Sequence, residues 1–288
     1  MGNAIASLFA TNGWQVVLID PSETACQASR EKLLGNDPAA GPLESRLSWS
    51  ARLDAAAGAS LVIEAAPENL ALKQQLFKEL EAVCPPQTVL ATNTSGISIN
   101  QLAATLQHPA RFVGTHFFTP ADVIPLVEVV GGEHTGTDTI ERVMGVLRAV
   151  GKLPIHVRKD IPGFIANRLQ HALAREAMSL LDQGVATAED IDTVAKWSLG
   201  IRLALTGPLE QRDINGLDIH HAIASYLYPD LENRQTPSSV LTEKVQHGHF
   251  GVKSGQGFYT WDTPERREAL RDKDTALRRL VAHLQESP

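Results

Sequence analysis

The sequence predicts a mainly parallel α/β sheet followed by an all-helical domain. Short apolar runs alternate with helical patterns from the N-terminus to about residue 158, and no convincing strand follows. Continuous apolar strands separated by helices are typical of parallel sheets that are covered on both faces. We therefore expect an α/β domain over residues 1–158 and a helical domain over residues 159–288.

Six apolar runs predict the strands of the α/β domain. The predicted strands are residues 16–20, 61–64, 88–92, 112–116, 126–130 and 153–157. The predicted helices between them are residues 3–11, 21–34, 70–83 and 138–150. Residues 35–50 contain Pro38, Gly41 and Pro42, and they are predicted to form a loop.

Helical patterns dominate the remainder of the chain. Pro162-Gly163 is predicted to begin a long helix that ends at Gly184. Thr187 and Asp190 resemble a capping box for the next helix, which is predicted to end at Gly200. The last predicted helices are residues 217–227 and 265–286.

Composition narrows the class of protein. Apolar residues make up 43% of the 288 residues, and the formal net charge is −7 without any basic run. We therefore expect neither nucleic acid nor an anionic membrane as a partner. No segment approaches the roughly 20 apolar residues that a membrane helix needs. Two cysteines, Cys26 and Cys84, fit a reducing compartment, so a soluble cytoplasmic protein is predicted.

An acidic residue at the end of the first predicted strand indicates a nucleotide site. Ligands of open α/β sheets bind beyond the carboxyl ends of the strands, and Asp20 lies at such an end. Dinucleotide-binding folds place an acid here on the adenosine ribose, and its charge favours NAD over NADP. The alternative is that Asp20 only caps the following helix.

The beginning of the chain resembles part of a Rossmann fingerprint. The motif G-x-G-x-x-G joins the first strand to the first helix, and Met1-Gly2-Asn3 resembles its final positions. We therefore expect Gly2 to lie at the cofactor, the first strand of the sheet to be missing, and the natural protein to begin upstream. The rival hypothesis is a domain that begins with a helix and binds no dinucleotide.

Five ordered segments resemble the 3-hydroxyacyl-CoA dehydrogenase family. They are residues 61–69 (LVIEAAPEN), 91–96 (ATNTSG), 114–129 (GTHFFTP…PLVEV), 160–168 (DIPGFIANR) and 253–259 (KSGQGFY). The resemblance implies an NAD-binding domain, a helical domain that forms a homodimer, and hydride transfer to NAD from a secondary alcohol of a small-molecule substrate.

A histidine and a glutamate on neighbouring predicted strands fit this chemistry. Oxidation of an alcohol needs a base with a pKa near neutrality, which is the usual role of histidine. His116 ends one strand, and Glu128 lies on the next, within reach of the far imidazole nitrogen. The resemblance assigns them as the catalytic pair. The alternative is a structural histidine beside a buried acid.

Other residues receive roles from the resemblance alone. Ser95 and Asn167 match the donors that the family places near the substrate oxygen, and the alternatives are a helix cap and an interdomain polar group. Glu68, Lys73 and Asn93 match contacts to the ribose or nicotinamide half of NAD, although Lys73 fits solvated helix surface equally well.

Three departures from the family bear on the substrate. Residues 23–60 are compact and contain Lys32 as their only lysine, where acyl-CoA members have a longer, lysine-bearing excursion that helps to bind CoA. Thr119 replaces the usual asparagine of the family near the site. Arg202 stands in an altered segment, where it fits either a substrate carboxylate or a surface ion pair with an acid such as Glu210.

The predicted function is NAD-dependent oxidation of a secondary 3-hydroxyl, with a 3-hydroxyacyl-CoA as the first choice of substrate and fatty acid metabolism as its setting. One alternative is a free hydroxy acid or ring alcohol, such as gulonate, carnitine or a pyridine carboxylate. Another is a non-catalytic structural or NAD-binding protein. No metal site is predicted, because His220-His221 and the pair His247 and His249 lack an acidic or thiol complement.

Overall fold

The chain folds into two compact units. The computed structural model describes residues 1–35 and 41–286. One unit consists of Met1–Arg168 with the residues from Ala276 onward, and the other is Leu169–Thr275. Strands and helices alternate in the first unit, and helices make up most of the second, which confirms the predicted fold class. A domain boundary after residue 158 stays a prediction.

The described residues of the first unit form seven strands. They are β1 (Val16–Ile19), β2 (Leu47–Ser50), β3 (Leu61–Glu64), β4 (Val89–Thr92), β5 (Phe112–Phe117), β6 (Leu126–Val130) and β7 (Leu153–Val157). Its helices are α1 (Gly2–Thr11), α2 (Glu23–Leu34), α3 (Gly41–Glu44), α4 (Leu70–Val83), α5 (Ile99–Ala103) and α6 (Thr137–Ala149). The six predicted strands are all present.

The strands form two sheets that are almost entirely parallel. One sheet has the order β1-β2, and the other has the order β3-β4-β5-β6-β7. Among these seven strands of the described chain, β5 and β6 form the one antiparallel pair. Within the described residues β1 pairs with β2 alone and β3 pairs with β4 alone, so no strand joins the two sheets there.

The five-stranded sheet has an apolar core on each face. Val89 and Ala91 of β4 face a cluster that includes Phe9 of α1 and Leu147 of α6. Leu90, between them, faces a second cluster, which includes Phe77 of α4 and Leu102 of α5. Successive residues of a strand point to opposite faces, so β4 is buried on both sides, as its unbroken apolar run predicts.

The second unit is built from helices. The remaining helices of the chain are α7 (Ala166–Asp182), α8 (Ala188–Val194), α9 (Ile201–Leu203), α10 (Pro208–Asn215), α11 (Leu217–Leu227), α12 (Ser239–Gln246) and α13 (Pro264–Glu286). The Thr187 hydroxyl accepts the amide of Asp190 and caps α8, as the sequence predicts.

Three predictions of local structure are wrong. Residues 36–40 lie outside the described part of the chain, but the rest of the predicted loop contains α3 and β2. The helix that was predicted to begin at Pro162 begins at Ala166, because Phe164 adopts a left-handed φ of 50°. Gly200 does not end its helix: its φ of −58° is right-handed, and a π-helical segment, Ala195–Gly200, leads into α9.

The structure contains no candidate for a membrane-crossing helix within residues 1–35 and 41–286. Every helix there falls short of the length or the apolar content that a bilayer span requires.

Candidate active site

Polar side chains gather at the carboxyl ends of three strands of the five-stranded sheet. Glu64 ends β3, Thr92 ends β4, and His116 lies one residue before the end of β5. All three side chains are buried, with at most 4% of their surface exposed. Buried polar groups of this kind need partners. Their partners define the candidate active site.

His116 and Glu128 are directly opposed across the antiparallel pair of strands. They are register partners in β5 and β6, and Nδ1 of His116 lies 2.8 Å from Oε2 of Glu128. The predicted contact is therefore present, and it is explained by strand pairing: opposed side chains of neighbouring strands lie on the same face of a sheet. The contact fixes Nδ1 as the protonated nitrogen and leaves Nε2 for acid–base work.

A tight turn before α7 completes the environment of Glu128. The amides of Ile165 and Ala166 donate to its Oε1 at 2.9 and 3.0 Å. Phe164 turns these amides toward the carboxylate through its left-handed φ of 50°, which is strained for a bulky residue. Its ring also lies 5.8 Å from the His116 ring. The turn thus orients both members of the pair.

Hydrogen bonds keep Glu128 ionised in spite of its burial. Burial alone would raise the pKa of this carboxyl, but the hydrogen bonds from His116 and from the amides of Ala166 and Ile165 outweigh it. The pKa of Glu128 is therefore held below its ordinary value. An ionised Glu128 stabilises a positive charge on His116.

Asn167 follows Ala166, whose amide binds Glu128, and it contacts Ser95. Nδ2 of Asn167 donates to the backbone carbonyl of Ser95 at 2.8 Å. The Ser95 side chain is exposed, and its amide donates to Oε1 of Glu68 at 3.0 Å. Both backbone polar groups of Ser95 are thus fixed, while its hydroxyl faces solvent.

Asn93 links the ends of two strands. Its Oδ1 accepts the amide of Phe117 at 2.9 Å, and its own amide donates to the carbonyl of Glu64 at 2.8 Å. The side-chain carbonyl is therefore occupied, whereas the amide nitrogen has no partner among the residues that the structure describes. Phe117 follows His116, so Asn93 also fixes the end of β5.

Lys73 is buried among acceptors, with 1% of its side chain exposed. The interpretation of Lys73 as solvated helix surface is therefore wrong. Its ammonium lies 2.7 Å from Oε1 of Glu64, 3.1 Å from the carbonyl of Ala66 and 3.4 Å from Oε2 of Glu68. The residue is buried because Glu64 compensates its charge inside the unit.

Glu68 begins a second group of contacts. Its Oε1 accepts the Thr94 hydroxyl and the amides of Ser95 and Gly96. Burial tends to raise the pKa of Glu68, but the Thr94 hydrogen bond, the Lys73 charge and the Ser95 amide together lower it. Its contact to NAD stays a prediction.

The remaining predicted cofactor residues lie at the beginning of the chain. Asp20 is exposed directly after β1, and its Oδ1 accepts the amide of Ser22 at 2.9 Å. The Ser22 hydroxyl, in turn, caps α2 by accepting the amide of Ala25. Gly2 begins α1, and a Cβ added there would lie 4.0 Å from Cβ of Ala65, just past β3. The first unit thus brings Gly2 close to the end of β3.

The two residues predicted to set substrate specificity are placed differently. Thr119 is exposed, three residues after His116 in the first unit. Arg202 is exposed in the second unit, and its Nε donates to the carbonyl of Ser198 at 2.6 Å. No ion pair joins Arg202 to Glu210 in the described part of the chain. The roles of Thr119 and Arg202 stay predictions.

Sequence reasoning assigned no role to Glu64, Thr94 or Phe164. The acid that ends the apolar run of β3 is a signal that was available, because it repeats the pattern of β1 and Asp20. The left-handed Phe164 has no such signal. No group of three or more His, Cys, Asp or Glu residues is arranged for a metal within the part of the chain that the structure describes.

Two family models cover most of the chain. The NAD-binding domain of 3-hydroxyacyl-CoA dehydrogenase matches residues 1–161, and the C-terminal domain of the same enzyme matches residues 163–261. Both matches follow the order of the two predicted domains.

Individual relatives agree with the family models. The chain is 37% identical to a 5-formyl-3-hydroxy-2-methylpyridine 4-carboxylate 5-dehydrogenase of Mesorhizobium japonicum, over 98% of this chain and 93% of the relative. It is also 37% identical to a probable 3-hydroxybutyryl-CoA dehydrogenase of Bacillus subtilis, over 91% and 94% of the two chains.

A solved structure matches the whole chain. It is a crystal structure of a 5-formyl-3-hydroxy-2-methylpyridine 4-carboxylic acid 5-dehydrogenase, described as an NAD⁺-dependent dismutase. The TM-score is 0.89 and the identity 36%, with coverage of 100% of this chain and 96% of that one. The chain therefore belongs to the 3-hydroxyacyl-CoA dehydrogenase family, it is an NAD-dependent dehydrogenase, and NAD is its cofactor.

Proposed function

We propose that this enzyme oxidises a carbon that bears both a hydroxyl group and a hydrogen, with His116 as the base. The observation that carries the proposal is the 2.8 Å contact between Nδ1 of His116 and Oε2 of Glu128. It leaves Nε2 to take the hydroxyl proton, and the ionised Glu128 stabilises the imidazolium that forms. A positioned base of this kind accelerates a reaction by about 10²–10⁴-fold.

The residues at the strand ends fit NAD. Asp20 is exposed with one carboxylate oxygen accepting Ser22, and the other has no bond among the described residues, so it would accept a ribose hydroxyl. The free amide nitrogen of Asn93 and the carboxylate of Glu68 would face the nicotinamide half. When bound, NAD supplies the ring that receives the hydride. Gly2 would lie at the pyrophosphate, at the beginning of α1.

Ser95 and Asn167 would orient the reacting oxygen. The Ser95 hydroxyl is exposed while both of its backbone polar groups are held. Asn167 uses its amide group for the Ser95 carbonyl, and an amide nitrogen carries two hydrogens, so one donor remains. Two donors aimed at the substrate oxygen would stabilise the negative charge that develops as the proton leaves.

For the substrate, we propose a small free carboxylate without CoA. Between residues 23 and 60 the chain has four basic residues, and three are already engaged: Arg30 with Glu44, Arg52 with Asp54, and Arg46 with the carbonyl of Ala10. Only the exposed Lys32 is left in this segment for the phosphates of CoA. The match to a pyridine-carboxylate dehydrogenase along the whole chain supports the same choice.

The chemistry of a hydrated aldehyde fits the same site. A formyl group that adds water carries a hydroxyl and a hydrogen on one carbon, as a secondary alcohol does. His116 would then remove a hydroxyl proton in either case, and the product would be a carboxylate instead of a ketone. An aldehyde is therefore a second substrate type for this pair.

The 3-hydroxyacyl-CoA substrate, which the sequence favoured, remains the competing candidate. It is supported by the family models and by the 3-hydroxybutyryl-CoA dehydrogenase relative. A role in fatty acid metabolism belongs to that candidate alone. The homodimer through the helical domain and the cytoplasmic location stay predictions under both.

Formation of NADH tests the proposal. The panel contains 3-hydroxybutyryl-CoA, free 3-hydroxy acids, pyridine carboxylates with hydroxymethyl or formyl groups, and carnitine. We expect turnover with free carboxylates, and turnover with the thioester alone would overturn the choice of substrate. His116→Gln keeps a donor for Glu128 but removes the base, so it should lower kcat by about 10²–10⁴-fold. His134→Ala, at an exposed histidine, is the matched control; equal rates for the two variants would reject His116 as the base.

A further inference from the structure

A buried ammonium lies between two carboxylates beside the active site. Nζ of Lys73 is 2.7 Å from Oε1 of Glu64 and 3.4 Å from Oε2 of Glu68. The side chains of Lys73 and Glu64 are 1% and 2% exposed, whereas that of Glu68 is 45% exposed. We call these three residues the ion triad. It runs from the interior of the unit toward the solvent-facing loop that carries Ser95.

Lys73 is engaged on three sides, by hydrogen bonds to Glu64 and to the carbonyl of Ala66 and by an ion pair with Glu68. An ammonium group has three donors and no acceptor. Its three neighbours are Glu64, Glu68 and the carbonyl of Ala66, at 3.1 Å. A direct bond from Lys73 to the nucleotide would require it to give up one of them. Lys73 therefore acts on the site through Glu68.

Glu68 connects Lys73 to the loop that follows β4. Its Oε1 accepts the Ser95 amide at 3.0 Å, the Gly96 amide at 3.3 Å and the Thr94 hydroxyl. The Lys73 ammonium holds the other oxygen, so the carboxylate cannot rotate freely. The result is that the position of the Ser95 backbone depends on where Lys73 lies.

Glu64 determines where Lys73 lies. It ends β3, its Oε1 also accepts the amide of Ala66, and its Oε2 accepts the Thr92 hydroxyl at 2.7 Å. The Glu64 carboxylate thus fixes three groups to one rigid strand end: the Lys73 ammonium, the Ala66 amide and the Thr92 hydroxyl. Without this negative charge, the buried ammonium would be compensated by Glu68 alone, and Glu68 would be drawn away from the loop.

We propose that Glu64 is a positioning residue for the hydroxyl of Ser95, and that it acts through Lys73 and Glu68. This inference rests on the proposed function, which gives the Ser95 hydroxyl its place at the substrate oxygen. Glu64 touches neither substrate nor cofactor. It sets the distance between a donor on the β4 loop and the base on β5, and an error of about 1 Å in such a distance costs up to 10²-fold in rate.

The test separates positioning from folding. Glu64→Gln removes the negative charge but keeps an acceptor, and we expect kcat to fall by about 10–100-fold, with a lower Tm. The double variant Glu64→Gln/Lys73→Met removes the unpaired ammonium as well. It should regain Tm, because no uncompensated buried charge remains. The kcat of the double variant should stay low, because no ammonium remains to bind Oε2 of Glu68.

Arg111→Leu is the matched control. Arg111 is a buried cation of the same unit, but it precedes β5 at the opposite edge of the sheet and binds backbone carbonyls. It should lower Tm without lowering kcat. If it lowers kcat as much as Glu64→Gln does at a similar Tm, the effect of Glu64 is only structural, and the proposal is overturned.

A double-mutant cycle with Ser95→Ala distinguishes this proposal from the proposed function. If Glu64 acts by positioning Ser95, Glu64→Gln should lower kcat further by less than about twofold in the Ser95→Ala background. If the decreases in kcat caused by Glu64→Gln and Ser95→Ala multiply, Glu64 does not act through Ser95. The positioning proposal is then wrong, and the role of Ser95 is unaffected. If Ser95→Ala leaves kcat unchanged, the role of Ser95 itself is wrong, and the positioning proposal falls with it.

Discussion

The five-stranded sheet has a carboxyl edge and an amino edge, where the strands end and begin. Side chains of opposite charge bind the polar groups at these two edges. At the carboxyl ends of β3, β4 and β5, the carboxylates of Glu64, Glu68 and Glu128 accept N–H and O–H groups. At the amino ends, arginines donate to backbone carbonyls. Arg111 binds the carbonyls of Glu81 and Pro85, among others, and Arg142 binds those of Gln87 and Ser60, just before β4 and β3.

The difference shows which edge can perform chemistry. An arginine bound to carbonyls is a fixed link with no proton to exchange, because its guanidinium never loses its charge in proteins. A carboxylate bound to a histidine can stabilise a charge that comes and goes. Substitutions at the carboxyl edge should therefore change rates first, and those at the amino edge should change stability alone.

The largest effect is expected for Glu128→Gln. The amide can still contact His116, but it cannot stabilise the imidazolium, and it can select the wrong tautomer. We expect kcat to fall by about 10²–10⁴-fold, with KM little changed, measured as initial rates of NADH formation. A fall in kcat of less than threefold would show that substitutions at the carboxyl edge affect the rate no more than those at the amino edge.

The same variant should change the acid stability of the protein. Folding lowers the pKa of Glu128, so its contribution is present above the ordinary pKa of a glutamate and is lost as the pH falls through the lowered value. The free energy of unfolding of the wild type should therefore decline more steeply with acid than that of Glu128→Gln. Urea unfolding between neutral pH and pH about 3 measures this slope; parallel curves would contradict it.

Arg111→Leu should give the next largest effect, and only on stability. The variant leaves several carbonyls without a donor, including those of Glu81 and Pro85. Each buried carbonyl that lacks a hydrogen bond lowers the free energy of unfolding by about 1–3 kcal/mol. We expect a loss of about 3 kcal/mol in the free energy of unfolding, with kcat within twofold of the wild type. Arg142→Leu, at an exposed arginine of the same edge, should cost less. A fall in kcat for either variant would show that substitutions at the amino edge also affect the rate, which contradicts the distinction between the two edges.

The sequence predicted residues of the carboxyl edge only where a residue ends an obvious apolar run. This pattern identifies His116 and Asp20, and it also holds for Glu64 at the end of Leu61-Val62-Ile63-Glu64. The family resemblance supplied Ser95 and Asn167. The burial of Lys73 could not be predicted, because it depends on Glu64, nine residues away, and on the hydrogen bonds of the folded strand ends.

Other features depend on tertiary contacts that leave little trace in sequence. β2 has only four residues, two of them serines, so its apolar pattern is too short to be recognised beside Pro42 and Gly41. The left-handed Phe164 is stabilised by its burial and by the amides that it brings to Glu128. The role of Arg111 is likewise set by carbonyls that come together only in the fold.

The smallest effect is expected for an ion pair that belongs to neither edge. Nη1 of Arg278, in α13, lies 2.8 Å from Oδ2 of Asp122, and the two side chains are 49% and 41% exposed. Solvent screens such a pair, so Arg278→Ala should lower the free energy of unfolding by at most about 1 kcal/mol and leave kcat unchanged. Asp122→Asn should cost no more, and any loss should shrink as salt is raised. The result that would contradict this is a loss of unfolding free energy as large as that of Arg111→Leu and independent of salt. Burial would then not explain why some contacts of this unit contribute more stability than others.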